Sequence, residues 1–282
     1  MRKSRLKGKI VSHVILLLAS LLFMIPFVYM ISISLASDSS VILAQYTLIP
    51  REFHFENYIN IFKDTKVDVW LWNSVVITVA NTLLTLISCS MVAYAFARLR
   101  AKLKNMWFII LLSTMMIPAQ VKIIPQFVIF KQLGWLNTWA PLIVPNLFGS
   151  AYYIFLLRQF IARLPRDLDE AAKIDGLGTW GIYTRICIPL IKPALAAVAV
   201  FAVMGNWNWF FEPLIYLNNE NLFPLALGIK ILTATTSSGA PPMWNRVFTC
   251  SMILIVPMIA VYFVGQKYMY ELNISAGSAG VK

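Results

Sequence analysis

Charged side chains are scarce in this sequence, and their scarcity excludes most soluble folds. Only 13% of the 282 residues are Asp, Glu, Lys or Arg, whereas 59% are hydrophobic and the mean hydropathy is +0.72. Soluble domains carry roughly 25% charged and about 45–50% apolar residues. A soluble chain of this composition would leave much apolar surface in water, where it promotes aggregation. Lipid is therefore the expected solvent for most of the chain.

Residues that serve as metal ligands or redox centres are also few. The chain has two histidines, His13 and His54, and three widely separated cysteines, Cys89, Cys187 and Cys250. This spacing excludes a zinc motif and a disulfide framework, and it predicts that the cysteines are small core residues. The sequence also lacks the glycine-rich Walker loop, so we expect no cofactor on this chain and no ATP bound by that route.

What the sequence does contain is long apolar runs. Six of them approach the length of about 20 residues that a membrane-spanning helix requires. They cover approximately residues 10–35, 70–97, 106–130, 141–163, 191–217 and 247–266. The first is much longer than the roughly 7–15 residues of a signal-peptide core, so we interpret it as an uncleaved span. The sequence predicts an all-α integral membrane protein with about six transmembrane helices in a single domain, 1–282.

The net charge of +12 is spread between the apolar runs and forms no single patch, which argues against a nucleic-acid partner. If the N-terminus is cytoplasmic, sixteen Lys and Arg residues fall inside and six fall outside. The outside set is Arg51, Lys63, Lys66, Lys131, Lys230 and Arg246. Because cytoplasmic loops carry an excess of Lys and Arg, we predict that both termini are cytoplasmic.

The connection between the fourth and fifth runs, residues 164–190, is the most informative segment. Residues 167–176 read DLDEAAKIDG, which predicts a short polar helix outside the lipid. Asp167 and Glu170 predict an N-terminal cap, and Gly176 predicts a left-handed helix end. Ala171 and Ala172 leave a low profile that lets another protein approach closely. These residues alone leave two interpretations open, a docking helix and a solvated helix without a partner.

The spacing of this segment resembles a known motif. Glu170-Ala171-Ala172, followed by Asp175-Gly176 and by Ile186-x-Ile188-Pro189, is similar to the EAA loop of permeases in bacterial ATP-binding-cassette (ABC) importers. Other segments resemble the carbohydrate-uptake branch, in particular the smaller membrane subunit of the maltose importer: AYAFAR at 93–98, MMIP-x-Q at 115–120, FLLRQF at 155–160, GNWN at 205–208 and G-x-x-GVK at 277–282. The chain departs from that branch at Trp209, where Asp is common, and at Glu212, where Trp is common.

The resemblance implies a permease subunit that is not itself an enzyme, in a bacterial cytoplasmic membrane. A second homologous permease subunit would enclose the path with it, and a dimeric ATPase subunit would bind ATP and Mg²⁺. An extracytoplasmic solute-binding protein would deliver a sugar. The docking residues implied are those of the coupling helix: Glu170, Ala171, Ala172, Asp175 and Gly176.

Polar and aromatic residues inside the apolar runs are candidates for the substrate path. They are Asn206, Trp207, Asn208, Trp209, Glu212 and Lys122. The amides suit sugar hydroxyls, and the indoles suit the apolar faces of sugar rings. Packing of the Asn and Trp side chains against neighbouring spans is an equal alternative. Lys122 and Arg158 also suit snorkelling, in which a long basic side chain reaches the membrane surface.

Two other functions remain open at this point. A secondary transporter usually buries several acids or histidines within its spans, and Glu212 is the only acid well inside the apolar runs. A sodium-coupled transporter that holds the ion with backbone carbonyls would need no such acids or histidines, so this alternative stays open. A membrane receptor or structural subunit that passes no solute is the second alternative, and it would leave the docking helix without a purpose.

Overall fold

A computed structural model of the chain describes residues 2–42, 52–233 and 242–277, and every regular element within these ranges is helical. Arg51 and the end of the tail motif, residues 278–282, lie outside the described residues. The helices, numbered in chain order, are α1 (Arg2–Ser34), α2 (Asp38–Ile42), α3 (Asn57–Asp64), α4 (Val67–Arg98), α5 (Lys104–Ser113), α6 (Ala119–Gln132), α7 (Ala140–Ile143), α8 (Ala151–Arg163), α9 (Asp167–Ile174), α10 (Thr179–Ile182), α11 (Ile188–Leu190), α12 (Lys192–Trp207), α13 (Phe211–Tyr216), α14 (Leu225–Leu232) and α15 (Trp244–Gly277). Short 3-10 helices follow α5, α7 and α13, and a π-helical turn, Tyr183–Cys187, joins α10 to α11.

Four helical stretches are long and apolar enough to cross a membrane. They are Lys9–Ser34, Val67–Arg98, Ala140–Arg163 and Trp244–Tyr268. Two bent pairs qualify when each is taken as one span, namely Lys104–Met116 with Ala119–Gln132 and Thr179–Leu190 with Lys192–Trp207. The described residues then contain six candidate spans, and the predicted all-α membrane class is confirmed. The assignment of the whole chain to a single domain stays a prediction.

The third predicted run, 106–130, is divided at Ile117 and Pro118 into two helices that meet at 98°. Proline lacks an N–H and disfavours the helical conformation of the residue before it. Ile117 is accordingly extended, with φ −83° and ψ 115°. Pro125, in contrast, lies inside α6 without ending it. The bend therefore has a local cause at Pro118.

The fifth predicted run, 191–217, is also not one helix. α12 ends at Trp207, and α13 begins only at Phe211. On the other side, Thr179–Leu190 meets α12 at 77°. Two of the candidate path residues, Asn208 and Trp209, therefore lie in a break between helices and not within a continuous span.

The larger of two compact units contains the described residues from Val69 to Leu227 and from Pro257 onwards. Its apolar core lies where α4, α8 and α12 meet the connection 164–190. Buried members of this core include Cys89, Ala93, Ile154, Leu157, Ile161, Ala172, Ile182, Cys187, Ala194 and Val198. Cys89 and Cys187 are thus core residues, as predicted, and Cys250 is buried as well.

The smaller unit contains the described residues up to Asp68 and those from Gly228 to Val256. Polar side chains join the end of α1, α3 and the start of α15. The Asn57 amide donates to the carbonyls of Ser34 and Ala36, each at 3.0 Å. The Arg246 guanidinium lies 3.1 Å from a carboxylate oxygen of Asp64. The bond to Ser34 satisfies a carbonyl that the end of α1 leaves without an internal partner, and the ion pair joins the start of α15 to the end of α3.

Candidate functional site

The predicted docking helix exists as α9, but its N-terminus differs from the prediction. Arg166 is the N-cap residue, and its side chain makes no capping hydrogen bond. Since Arg166 already has helical angles (φ −72°, ψ −25°), Asp167 is the first residue inside the helix and cannot cap it. The predicted cap between Asp167 and Glu170 is therefore wrong. Asp167, Asp169 and Glu170 do lie in the first turn, where the helix dipole favours negative charge.

The C-terminus of α9 agrees with the prediction. Gly176 has φ +83°, a conformation that residues with a side chain rarely adopt. The N–H of Leu177 donates to the carbonyl of Ala172 at 2.9 Å, and the N–H of Gly176 donates to the carbonyl of Lys173 at 3.0 Å. This pair of bonds is the Schellman motif that commonly ends helices at glycine. Gly176 thus fixes the direction in which the chain leaves α9.

The two alanines of α9 differ in burial. Ala172 is 3% exposed and belongs to the core of the larger unit, whereas Ala171 is exposed together with Glu170, Asp175 and Gly176. The expectation that both alanines face a partner is therefore wrong for Ala172, whose small size lets α9 pack closely on its own chain.

Apolar side chains on the outer face of α9 were missed by sequence reasoning. Ile174 is 87% exposed, and Leu168 is 40% exposed. With Ala171 they are spaced at intervals of three residues and so lie along one side of the helix. The sequence could have indicated this apolar side of α9. Leu168, Ala171 and Ile174 recur at intervals of three residues on a helix that was expected to lie outside the lipid.

Two of the candidate path residues point into the chain. Trp207 is 5% exposed, which places it among the packed residues of the larger unit. Asn206 accepts a hydrogen bond at 3.0 Å from the amide of Asn81, and its own amide donates to the carbonyl of Ala202 at 2.7 Å. Asn81 is fully buried. These contacts fit the packing alternative for Trp207 and give Asn206 an internal partner.

The other candidate path residues are accessible. Asn208 is exposed and donates to the carbonyl of Met204 at 2.9 Å. The indole N–H of Trp209 donates to a carboxylate oxygen of Glu212, and both side chains are half-buried. Lys122 lies exposed on α6. The break between α12 and α13 therefore presents an amide, an indole and a carboxylate close together along the chain.

One face of α4 carries buried polar atoms that have no hydrogen-bond partner. They are the hydroxyl oxygens of Thr78 and Thr82 and the amide oxygen of Asn81, all among the described residues. Positions 78, 81 and 82 share one side of a helix. Such atoms are costly within a membrane unless water or another polar group reaches them. Since Asn81 also bonds Asn206, this face marks a polar interior beside the start of the break.

No group of three or more His, Cys, Asp or Glu side chains that could hold a metal ion occurs among the described residues. The Nδ1 atom of His13 lies 2.7 Å from the carbonyl oxygen of Lys9, one turn earlier. Nδ1 of His54 lies 2.7 Å from a carboxylate oxygen of Glu56. This hydrogen bond raises the pKa of His54 and lowers the pKa of Glu56. Both histidines therefore have local structural partners.

Residues 87–269 match a family of known proteins, described as binding-protein-dependent transport system inner membrane component. The match covers more than half of the chain. It includes the connection 164–190, the break between α12 and α13, and Lys122.

Individual relatives match the chain along nearly its whole length. The lactose transport system permease protein LacG of Rhizobium radiobacter is 32% identical over 93% of each chain. The sn-glycerol-3-phosphate transport system permease protein UgpE of Yersinia pestis is 32% identical, over 91% of this chain and 92% of its own. A chain in the crystal structure of a bacterial ABC transporter involved in the import of the acidic polysaccharide alginate is 26% identical. That chain superposes with a TM-score of 0.83, covering 95% of this chain and 98% of the other.

Proposed function

The chain belongs to the family of binding-protein-dependent transport system inner membrane components, and from this membership we propose how it works in transport. It is a multi-pass membrane permease subunit of an ABC importer and not an enzyme. In our proposal it encloses, with a second homologous permease subunit, a path for a sugar or oligosaccharide across the cytoplasmic membrane. A partner ATPase dimer binds ATP and Mg²⁺, and an extracytoplasmic binding protein delivers the sugar.

The exposed face of α9 is the observation that carries the proposed attachment of the ATPase. Burying an isoleucine side chain is worth about 1.5–3 kcal/mol relative to leaving it in water. Ile174, at 87% exposure on a helix outside the candidate spans, leaves nearly all of that gain available to a partner. Glu170 and Asp175 add exposed carboxylates beside it, which suit basic side chains or backbone N–H groups of the partner.

Transport requires that α9 binds differently to the two states of the ATPase. A ligand or partner can shift a conformational equilibrium only by the difference in its affinity for the two states. α9 lies in the chain between the fourth and fifth candidate spans, so its displacement acts on both of them. Closure of the ATPase on ATP would in this way open the path to the opposite side of the membrane.

The proposed substrate class depends on the break between α12 and α13. Asn208, Trp209 and Glu212 supply hydrogen-bonding groups and an aromatic surface, a combination suited to sugar hydroxyls and ring faces. Lactose, sn-glycerol-3-phosphate and alginate, named for the related systems, are all polyhydroxylated. We extend this chemistry to the present chain and propose that exposed Lys122 favours acidic members of the class.

The orientation of the chain gives the first prediction. With both termini cytoplasmic, a cysteine at Lys173 should be shielded from an impermeant thiol reagent in intact cells, and one at Lys66 should react. The three native cysteines can stay, because they are buried, and the otherwise unchanged chain gives the background labelling. Reaction of K173C from outside would contradict the orientation and the docking of α9 with it.

The second prediction separates the path from packing. Asn208→Ala should slow uptake, because a sugar enclosed in the path would lose one hydrogen-bond partner, which weakens its binding by about 1–3 kcal/mol. Membrane abundance and basal ATP hydrolysis should stay normal. Trp207→Ala should instead lower thermal stability, because Trp207 is packed inside the chain. Uptake is measured with labelled lactose, an alginate oligosaccharide and sn-glycerol-3-phosphate.

Asn105→Ala is the matched control, since Asn105 is an exposed asparagine at the start of α5. If the Asn208→Ala chain takes up each of these compounds as well as the Asn105→Ala chain does, Asn208 does not contact substrate.

A further inference from the structure

The cytoplasmic end of α4 holds the whole connection 164–190 through three side chains. Ser90, Tyr94 and Arg98 are spaced by four residues and therefore share one face of the helix. Arg98 contacts the first half of the connection, and Tyr94 and Ser90 both contact its second half. The sequence offered no reason to link this face of α4 with α9.

Arg98 makes the strongest of these contacts. Its guanidinium donates to the carbonyl of Leu164 at 2.7 Å, where the connection begins, and lies 3.5 Å from the Asp169 carboxylate in the first turn of α9. The Arg98 side chain is 5% exposed, and that of Asp169 is 19% exposed. One buried planar group thus joins the end of α4, the end of α8 and the start of α9. A guanidinium can do so because its donors point in several fixed directions.

Tyr94 and Ser90 hold the second half of the connection. The hydroxyl of Tyr94 lies 3.5 Å from the carbonyl of Thr179, and its ring packs on Tyr183 with centroids 5.3 Å apart. The hydroxyls of Ser90 and Tyr183 lie 2.8 Å apart in the core. Ala172 is packed in the same core. Both halves of the connection therefore contact α4.

A second arginine ties α8 back to α4. Arg158 donates to the carbonyl of Phe96 at 3.4 Å and lies over the ring of Phe108, 4.0 Å from its centroid. Each arginine thus donates to a carbonyl near the C-terminus of the other helix, where helices leave carbonyls unpaired and favour cations.

We infer that Arg98 is a positioning residue that makes α9 and α4 move as one body, so that a displacement of the docking helix is delivered directly to the second candidate span. The inference rests on the proposed function of α9. A buried ion pair is costly to break from one side, because the remaining charge loses its partner. Arg98 and Asp169 therefore resist separation when α9 is pulled.

The test measures the distance between spin labels at Lys173 on α9 and Trp72 near the other end of α4. Both positions are exposed, and about 39 Å of helix lies between residues 72 and 98. In the assembled wild-type complex we expect a narrow distance distribution that Mg-ATP does not shift. In R98Q and D169N it should widen by about twofold or more, since each change leaves a buried polar group unpaired.

R98K should widen the distribution as well, because a single ammonium cannot reproduce the two directions of the guanidinium. Matched controls are R100Q and D167N, which alter an exposed arginine and an exposed acid of the same region. In both controls the distance distribution should stay narrow. Y183F provides a milder variant that keeps the ring and removes only the hydroxyl bonded to Ser90, and it should widen the distribution less.

A narrow, unshifted distribution in R98Q and D169N would overturn the inference, and so would a wild-type distance that changes with Mg-ATP. Failure of the proposed function would be seen in a different measurement. If the wild-type chain does not retain the ATPase on purification, docking through α9 is wrong, whereas the label distance still reports whether Arg98 holds α9 to α4.

Discussion

Replacing Ile174 by aspartate is expected to detach the ATPase subunit and abolish uptake, while the chain reaches the membrane in normal amount. The substitution removes the most exposed apolar side chain of α9, 87% of which is accessible. It also introduces a carboxylate that the partner would have to bury unpaired. Lost burial of about 1.5–3 kcal/mol together with that desolvation corresponds to a fall in affinity of at least about 100-fold.

Co-purification of the ATPase with the tagged chain, followed by ATP hydrolysis and uptake in lipid vesicles, measures this effect. Ile59→Asp is the matched control, because Ile59 is a 62% exposed isoleucine on α3, on the predicted outer side. Glu170→Ala and Gly176→Val should weaken coupling by smaller amounts, through a lost charge and a strained turn. If the Ile174→Asp chain retains its ATPase and transports normally, α9 is not the docking element.

Gly149→Val is expected to prevent stable folding of the larger unit. Gly149 lies between the 3-10 turn after α7 and the start of α8, with φ +74° and ψ 171°, a region that only glycine populates readily. A Cβ atom there would lie 3.2 Å from Cδ1 of Ile154 and 3.3 Å from Sγ of Cys89. Backbone strain of about 1–3 kcal/mol therefore adds to crowding within a packed core.

Gly134 supplies the control for strain alone. It has φ +69° after α6, and a Cβ atom there would meet nothing within 4 Å. Gly134→Ala should therefore cost only about 1 kcal/mol, whereas Gly149→Ala should cost more and Gly149→Val most. Thermal unfolding of the purified chains in detergent ranks the three. Equal melting temperatures for wild type and Gly149→Val would show that the turn before α8 can adopt another backbone conformation.

The sequence by itself determined the membrane class of the protein and located its candidate spans. Apolar runs near bilayer length are unfavourable when exposed to water, so composition alone indicated a membrane protein. Each run contains a described helix. The left-handed turn at Gly176 was also predictable, because a helix end that needs positive φ selects glycine locally. The resemblance around Glu170 and Gly176 identified the family, which the comparisons then confirmed.

Contacts between distant parts of the chain were decided only by the tertiary structure. Ala171 and Ala172 are identical in sequence terms, yet only Ala172 is buried, because α4 and α8 lie on that side of α9. In the sequence Arg98 is the last residue of the AYAFAR segment and a positive charge at the end of a span, and its contacts with Leu164 and Asp169 are visible only in the folded chain. Hydrophobic periodicity reports where each segment prefers lipid or water. It carries no information on which segments face each other, because that depends on packing between residues that lie far apart in the chain.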